Sequence, residues 1–339
     1  MATFKVYKLH FTSPLHISDN RSDYGISLKS IQSDTMYAAI TSCLAKLGRK
    51  IPDGGDLGCT ISSLFPFYQK DKVTEAVYFL PKPLRNSLPK LEDVSKAKTI
   101  KKVTWLDTEY FQKVINNESI FEDKEDIQAI KNKIYLTKYE IADDFISSQV
   151  SPRVTVSRSG DEDATPFYVD RVYFKDYSGL YFISDGDTLL LEEGLKLLQY
   201  EGIGTDRNIG NGFFEYDAAT IELRIPEQGS YSMSMSMYIP QNKEELNNML
   251  SGNDVAYDFT RRGGWITDTP FNTIRKNAVY AFNPGSVLRV ESNKPLCIGA
   301  IVNLKPDIQE DILTTKGITK IPHPIWRNGR SLFIPIKLK

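Results

Sequence analysis

The chain has 339 residues, a net charge of −1 and a hydrophobic content of 41%. That length favours about two domains, the composition is that of an ordinary globular protein, and the charge excludes a globally basic binder of duplex DNA. Three widely spaced cysteines exclude a disulfide framework and point to a reducing, cytoplasmic setting.

No Cys-x-x-Cys or His-x-x-x-His pair exists, so no zinc or other metal is expected. No run approaches the roughly 18 apolar residues of a spanning helix, and Met1 to Phe11 lacks a secretory apolar core, so neither membrane partner nor leader is expected.

Residues 3–11 alternate polar and apolar and predict a half-buried first strand. A polar loop, Ser18 to Ser27, follows and holds Arg21. Ser33-Asp34 then predicts the cap of a helix with Met36, Ile40, Leu44 and Leu47 on one face, stopped by Gly48. Residues 49–75 read as irregular and Val77 to Leu80 as a strand. The Lys-, Glu-, Asp- and Asn-rich stretch from about 85 to 150 reads as an insertion, with helical periodicity around Tyr110 to Ile115 and Ile127 to Leu136. Residues 153–157 and 167–174 read as the arms of a long hairpin (about 151–175) around an acidic tip, Ser159 to Asp163. Too little apolar surface marks that tip for it to pack alone, so the hairpin should project.

Residues 179–184 predict another strand, and 188–200 a helix with Leu191, Leu195 and Leu198 on one face and Asp187 at its cap. Short strands follow at 213–216 and 219–225. Tyr231 to Tyr238 alternates Ser and Met, a strand with Met233, Met235 and Met237 on its buried face. A polar helix spans about 241–251, and strands recur near 255–260, 278–282, 286–291, 297–303 and 332–337. Each half thus has strand, helix, strands, helix, strand character. The pattern predicts an α+β chain of two ferredoxin-like domains, residues 1–217 and 218–339.

Between helix and strand lies the most distinctive stretch, Gly202-Ile203-Gly204-Thr205-Asp206-Arg207-Asn208-Ile209-Gly210-Asn211-Gly212. Glycines permit positive φ and close backbone approach to a ligand. Successive exposed N–H groups form an anion-binding concavity, and Arg207 adds a forked cation suited to phosphate. A Walker A loop is excluded, because five residues separate Gly204 from Gly210 and Asn211-Gly212 follows. A dinucleotide fingerprint is excluded because position 207 is Arg and the helix precedes the strand. A glycine-ended helix and a turn without ligand would show the same residues.

Acid–base chemistry could use His10, His16 or His323, and His16 lies where a substrate could reach it. No recognisable triad spacing accompanies them. Cations are more telling. Arg153, Arg158 and Arg171 lie on the hairpin; Arg261, Arg262, Arg275 and Lys276 lie near Trp265 and Tyr280. Basic residues interleaved with aromatics suit single-stranded nucleic acid.

Together these segments resemble the RAMP superfamily of CRISPR proteins, in particular the fourth Csm subunit of type III-A effector complexes. Leu15-His16-Ile17, the Ser33-Asp34-Thr35 helix opening, the loop Gly202 to Phe214, Arg261-Arg262-Gly263-Gly264-Trp265, Arg275 to Tyr280, Asn283 to Ser286 and His323 to Arg327 carry the likeness. The resemblance implies two RRM-like domains with a projecting thumb hairpin. It implies a subunit that holds the 5′ tag of the guide RNA beside the large polymerase-like subunit and an adjacent RAMP backbone subunit, in antiviral defence. It implies no cofactor and no catalysis here: target cleavage would belong to the backbone subunit, and DNA cleavage and cyclic oligoadenylate synthesis to the large one. The RNA-binding candidates are His16, Arg21, Ser33, Arg153, Arg158, Gly202, Gly204, Arg207, Asn208, Gly210, Asn211, Gly212, Arg261 and Arg262. The acidic tip fits poorly, so the hairpin's arms rather than its tip should meet RNA. The other expectation is a metal-independent RAMP endoribonuclease that processes precursor guide RNA with His16 as general base.

Overall fold

A computed structural model describes residues 1–18, 24–85, 94–121, 124–156, 163–175, 177–307 and 320–338, with backbone alone at 94–97 and 124–125. Arg21, Arg158 and most of the acidic hairpin tip lie outside the described residues.

The alternating first segment forms β1 (Ala2–Phe11), apolar on both faces: Phe4 and Val6 point one way, Tyr7 and Leu9 the other, and all are buried. Helix α1 (Ser33–Lys46) buries Met36, Tyr37, Ile40 and Leu44. It is not opened by a Ser33-Asp34 cap: Gln32 holds the cap position without a side-chain bond, and Ser33 and Asp34 sit buried in the first turn. Tertiary partners, described below, have claimed their polar groups. The stretch expected to be irregular contains β2 (Cys59–Ile61) and β3 (Phe65–Tyr68). Both are short, and Ser62-Ser63 interrupts the apolar run between them.

Next come β4 (Val77–Pro81), α2 (Val94–Lys102), β5 (Trp105–Asp107), α3 (Thr108–Ile115), α4 (Lys124–Gln128), β6 (Ile130–Lys131) and β7 (Tyr135–Leu136). The helix expected over Ile127 to Leu136 is therefore wrong. Asn132 and Lys133 take φ of 50° and 67°, which reverses the chain into a β6–β7 hairpin. The hairpin arms are longer than the sequence suggested: β8 (Ile146–Thr155) pairs with β9 (Thr165–Phe174) from Ile146↔Phe174 to Thr155↔Thr165. Then follow β10 (Gly179–Gly186), α5 (Leu189–Glu201) and β11 (Phe214–Leu223). Thr188, not Asp187, holds the α5 cap position, although Asp187 accepts a bond from the Leu189 N–H. The two short strands expected after the glycine loop are one, because β11 pairs with β1 along its whole length, Ala2↔Leu223 to Phe11↔Phe214.

The remainder comprises β12 (Tyr231–Ser234), α6 (Lys243–Leu250), β13 (Phe259–Arg262), β14 (Val279–Phe282), β15 (Val287–Leu288), β16 (Leu296–Ile298), β17 (Ile301–Asn303), β18 (Trp326–Asn328) and β19 (Ser331–Ile336). The architecture is mixed α+β. A nine-stranded sheet runs β11-β1-β10-β3-β4-β5-β7-β6 with β2 beside β10, and a second sheet runs β15-β12-β19-β16.

Helices α1 and α5 cover one face of the large sheet over Tyr7, Leu9, Leu180 and Phe182. The other face, with Phe4, Val6, Phe65 and Ile183, packs on Met233, Met235, Leu332 and Ile334 of the second sheet. The methionines are core, as their period predicts. The serine face is buried as well, so the segment is two-sided: the Ser232, Ser234 and Ser236 hydroxyls donate to the carbonyls of Val290, Asn283 and Ile61. A buried hydroxyl with a carbonyl acceptor avoids the desolvation cost that an unpaired one would carry. Among the described residues no helix is long and apolar enough to cross a membrane, and no group of three or more side chains could hold a metal ion.

Candidate nucleic-acid interface

Helix α5 ends where Gly202 takes φ 73° and its N–H donates to the Leu198 carbonyl. The loop that follows is closed onto the segment after β1. Ile203 N–H donates to Gly212 O at 2.9 Å, Gly212 N–H to Pro14 O at 2.8 Å, and Thr205 N–H to His16 O at 2.9 Å. Three glycines are obligatory: a Cβ on Gly202 would meet the Asn211 carbonyl oxygen. A Cβ on Gly212 would overlap the Ile203 carbonyl oxygen, and one on Gly204 would meet the His16 carbonyl oxygen.

The loop's crown is a single turn, Arg207–Ile209, with Arg207, Asn208 and Ile209 exposed. Asp206 enters it at φ 62° and Gly210 leaves it at φ 91°. The Arg207 guanidinium has no hydrogen-bond or ion-pair partner among the described residues, and neither do the backbone N–H groups of Asp206, Arg207 and Asn208. An exposed forked cation in the same turn as unpartnered N–H groups is a combination that suits a phosphate oxygen.

Hairpin and loop are joined. Arg153 Nη1 on β8 lies 2.9 Å from the Asp206 carboxylate, with both side chains about one quarter exposed. The pair neutralises the one acid of the loop, which leaves Arg207 as its net charge. Asp206 was missed from sequence; an acid inside a phosphate-type loop is itself a hint that a cation must face it.

His16 is placed against this loop but is not presented to solvent. It is fully buried, and its Nδ1–H donates to the Asp170 carbonyl at 2.7 Å, which leaves Nε2 as the bare nitrogen. His16 Nε2, Asn211 Nδ2, Asp170 Oδ1 and Arg171 Nε are all buried without a hydrogen-bond partner among the described residues. The second Asp170 oxygen accepts from Ser27 N–H at 3.0 Å, and the β9 backbone bridges Leu15 through Val172. These contacts tie the hairpin base, the His16 segment and the glycine loop into one support.

Ser33 and Arg262 sit in a different place. Ser33 is buried; its N–H donates to Ser63 Oγ, and its own Oγ accepts from Met237 N–H at 2.9 Å. Beside it, Asp34 is 1% exposed and takes Arg262 through two nitrogens (2.8 and 2.9 Å) and Arg327 Nη1 at 2.6 Å. Burial alone would raise the Asp34 carboxyl, but the Arg327 and Arg262 guanidiniums outweigh it and hold it below the usual carboxylate range. The Ser-Asp-Thr opening is thus a clamp between α1 and the strands β13 and β18. Lys276 lies within reach of the same charges; burial first, then Arg327, lowers its amine to about 8. Arg261 is exposed on β13, across from Tyr280.

Residues 227–336 match the family model described as the CRISPR Csm4 C-terminal domain. The curated protein "CRISPR system Cms protein Csm4" of Streptococcus thermophilus is 23% identical over 353 residues, covering 99% of this chain and 100% of the relative. Its namesake in Methanocaldococcus jannaschii is 24% identical over 311 residues, covering 78% and 80%. The chain is thus similar to Csm4 proteins along nearly its whole length, and its second half matches their C-terminal domain. Solved structures agree in fold. A chain of the Csm3–Csm4 subcomplex of a type III-A interference complex superposes at TM-score 0.61 with 19% identity, over 98% of this chain and 100% of that one. A chain of a Csm1–Csm4 cassette in complex with cA4 gives 0.60 with 18% identity, over 100% and 99%. The Csm4 match at 227–336 includes the Arg262 and Arg327 that grip Asp34; the glycine loop lies outside it.

Proposed function

We propose that this Csm4-type chain is the non-catalytic subunit of a type III-A effector complex that holds the repeat-derived 5′ tag of the guide RNA through its glycine loop. It caps the assembly beside the large polymerase-like subunit, with a RAMP backbone subunit on its other side. The carrying observation is the crown of the loop: an exposed, unpaired Arg207 in the same turn as open N–H groups, fixed by the Arg153–Asp206 pair. Csm4 relatives in Csm1–Csm4 and Csm3–Csm4 structures supply the partner classes.

The reading includes two RRM-like domains, 1–217 with the projecting thumb hairpin and 218–339. The strand order β11-β1-β10-β3, with α1 and α5 on one face, supports it for the first. The neighbours of β12, namely β15 and β19, support a reduced version for the second. Burial of His16, with its Nδ1 engaged, counts against a general base on a ribose hydroxyl.

Co-purification of the tagged chain from its host, followed by sequencing of bound RNA, should return RNAs that share one repeat-derived 5′ tag. Arg207→Ala should weaken tag binding by about 1.5–3 kcal/mol, the worth of a charge-assisted hydrogen bond. Wild-type affinity in that variant would reject the loop assignment.

A further inference from the structure

The β13–β14 ribbon stands outside both large sheets, and its two faces differ sharply. Residues paired across it share a face. Thr260, Arg262, Val279 and Ala281 point inward, with Arg262 on Asp34 and Ala281 buried against Met237 and Ile239. Phe259, Arg261, Tyr280 and Phe282 point outward. On that outer face Phe282 alone is covered, because Tyr238 bridges and stacks on it. The rest of the face is open: Phe259, across from Phe282, is 54% exposed, Tyr280 62%, and Tyr257, edge-on to Phe282, 45%.

The rings are arranged rather than collapsed. Phe259 and Tyr280 meet edge to face, centroids 5.7 Å apart at 82°, so each ring keeps a flat side that the other does not cover. Arg261 lies opposite Tyr280 in the register. Past the ribbon's end Arg275 stacks 4.9 Å over Trp265. The one acid on these strands' approach, Asp258, already accepts from Asn283 and from Phe259 N–H. The outer face therefore holds rings and a cation, with no aliphatic side chain among its members. Open ring faces flanked by guanidinium groups match unpaired bases and their phosphates. A duplex, whose bases are already stacked, has nothing to offer them.

We propose that the outer face of the β13–β14 ribbon is a second single-stranded RNA contact, on which Tyr280 and Phe259 stack bases and Arg261 meets the backbone. It rests on the reading that the chain binds guide RNA, and it uses a surface separate from the glycine loop.

The test is photocrosslinking of the full chain to a short single-stranded RNA carrying iodouridine, with affinity measured in parallel. Crosslinked peptides should include Phe259 or Tyr280. Phe259→Ala with Tyr280→Ala should bind that RNA about tenfold more weakly or worse, while Tyr280→Phe, which keeps the ring, should bind normally. Arg207→Ala separates the two sites: normal binding in that variant with ribbon crosslinks retained removes the loop assignment and keeps the ribbon. Crosslinks confined to the glycine loop, with unchanged affinity in the ribbon variant, overturn the proposal. So does a ribbon variant that binds RNA normally but loses a protein from the native complex. An isolated chain that binds no RNA overturns it together with the reading it rests on.

Discussion

Asp34 shows how a single carboxylate decides the fate of two cations. Asp34→Asn leaves Arg262 and Arg327 half-served in a largely buried place, and removing one partner of such a group costs about 3–5 kcal/mol. Denaturant unfolding should read that loss at neutral pH. Because the folded carboxyl lies below its unfolded value, its contribution is complete above the unfolded pKa and disappears as pH falls through the folded one. Wild type and variant should thus converge only in strong acid. Lys276 behaves oppositely. Its amine, lowered to about 8, disfavours the folded state while it is protonated. Lys276→Met should stabilise the chain by about 1–3 kcal/mol at neutral pH, and the gain should shrink as pH rises from 8 towards the unfolded lysine value. A pH series of unfolding midpoints checks both signs. The sequence placed Ser33-Asp34 at a helix start but not in this cluster, because its arginines come from more than two hundred residues away and no local pattern records them.

At the scale of elements, the glycine loop was legible because its glycines are conformational requirements. Two substitutions should separate requirement from convenience. Gly210 has open space around its missing Cβ, so Gly210→Ala meets only backbone strain, about 1 kcal/mol. Gly212→Ala forces the Ile203 carbonyl aside and should disorder the loop. Hydrogen exchange of the Thr205 and Ile203 amides should accelerate in the second and stay protected in the first. The hairpin was also legible, since β-rich arms bracket a polar tip. Its docking was not. Arg153→Ala removes a pair that is partly exposed, so stability should change by about 1 kcal/mol or less. The larger effect should fall on order: distal hairpin amides should exchange faster, and more so in high salt for the wild type. The β6–β7 hairpin was misread as helix because two residues in a left-handed conformation, Asn132 and Lys133, carry no glycine to announce the turn.

At the scale of the molecule, α+β character and the strand-rich second half follow from period and spacing. The packing of the two sheets on each other does not. It is a tertiary fact, visible only as a first strand apolar on both sides and a Met/Ser strand whose hydroxyls all find carbonyls. Deleting residues 331–338 should therefore affect more than the second half. Phe4, Val6 and Ile183 would lose Leu332, Ile334 and Ile336, and limited proteolysis should cut within the first two hundred residues as readily as beyond them. A truncated chain whose first half stays resistant would show that the two halves fold separately.

The same contact sets an order of events at the ribosome. β1 is made long before β19, yet side chains of β19 help to dry one of its faces. Until β19 emerges the Phe4–Val6 face lacks part of its cover, and the nascent chain carries an apolar strand that any other strand could meet. Emergence of β19, rather than of the first half alone, is what closes that face.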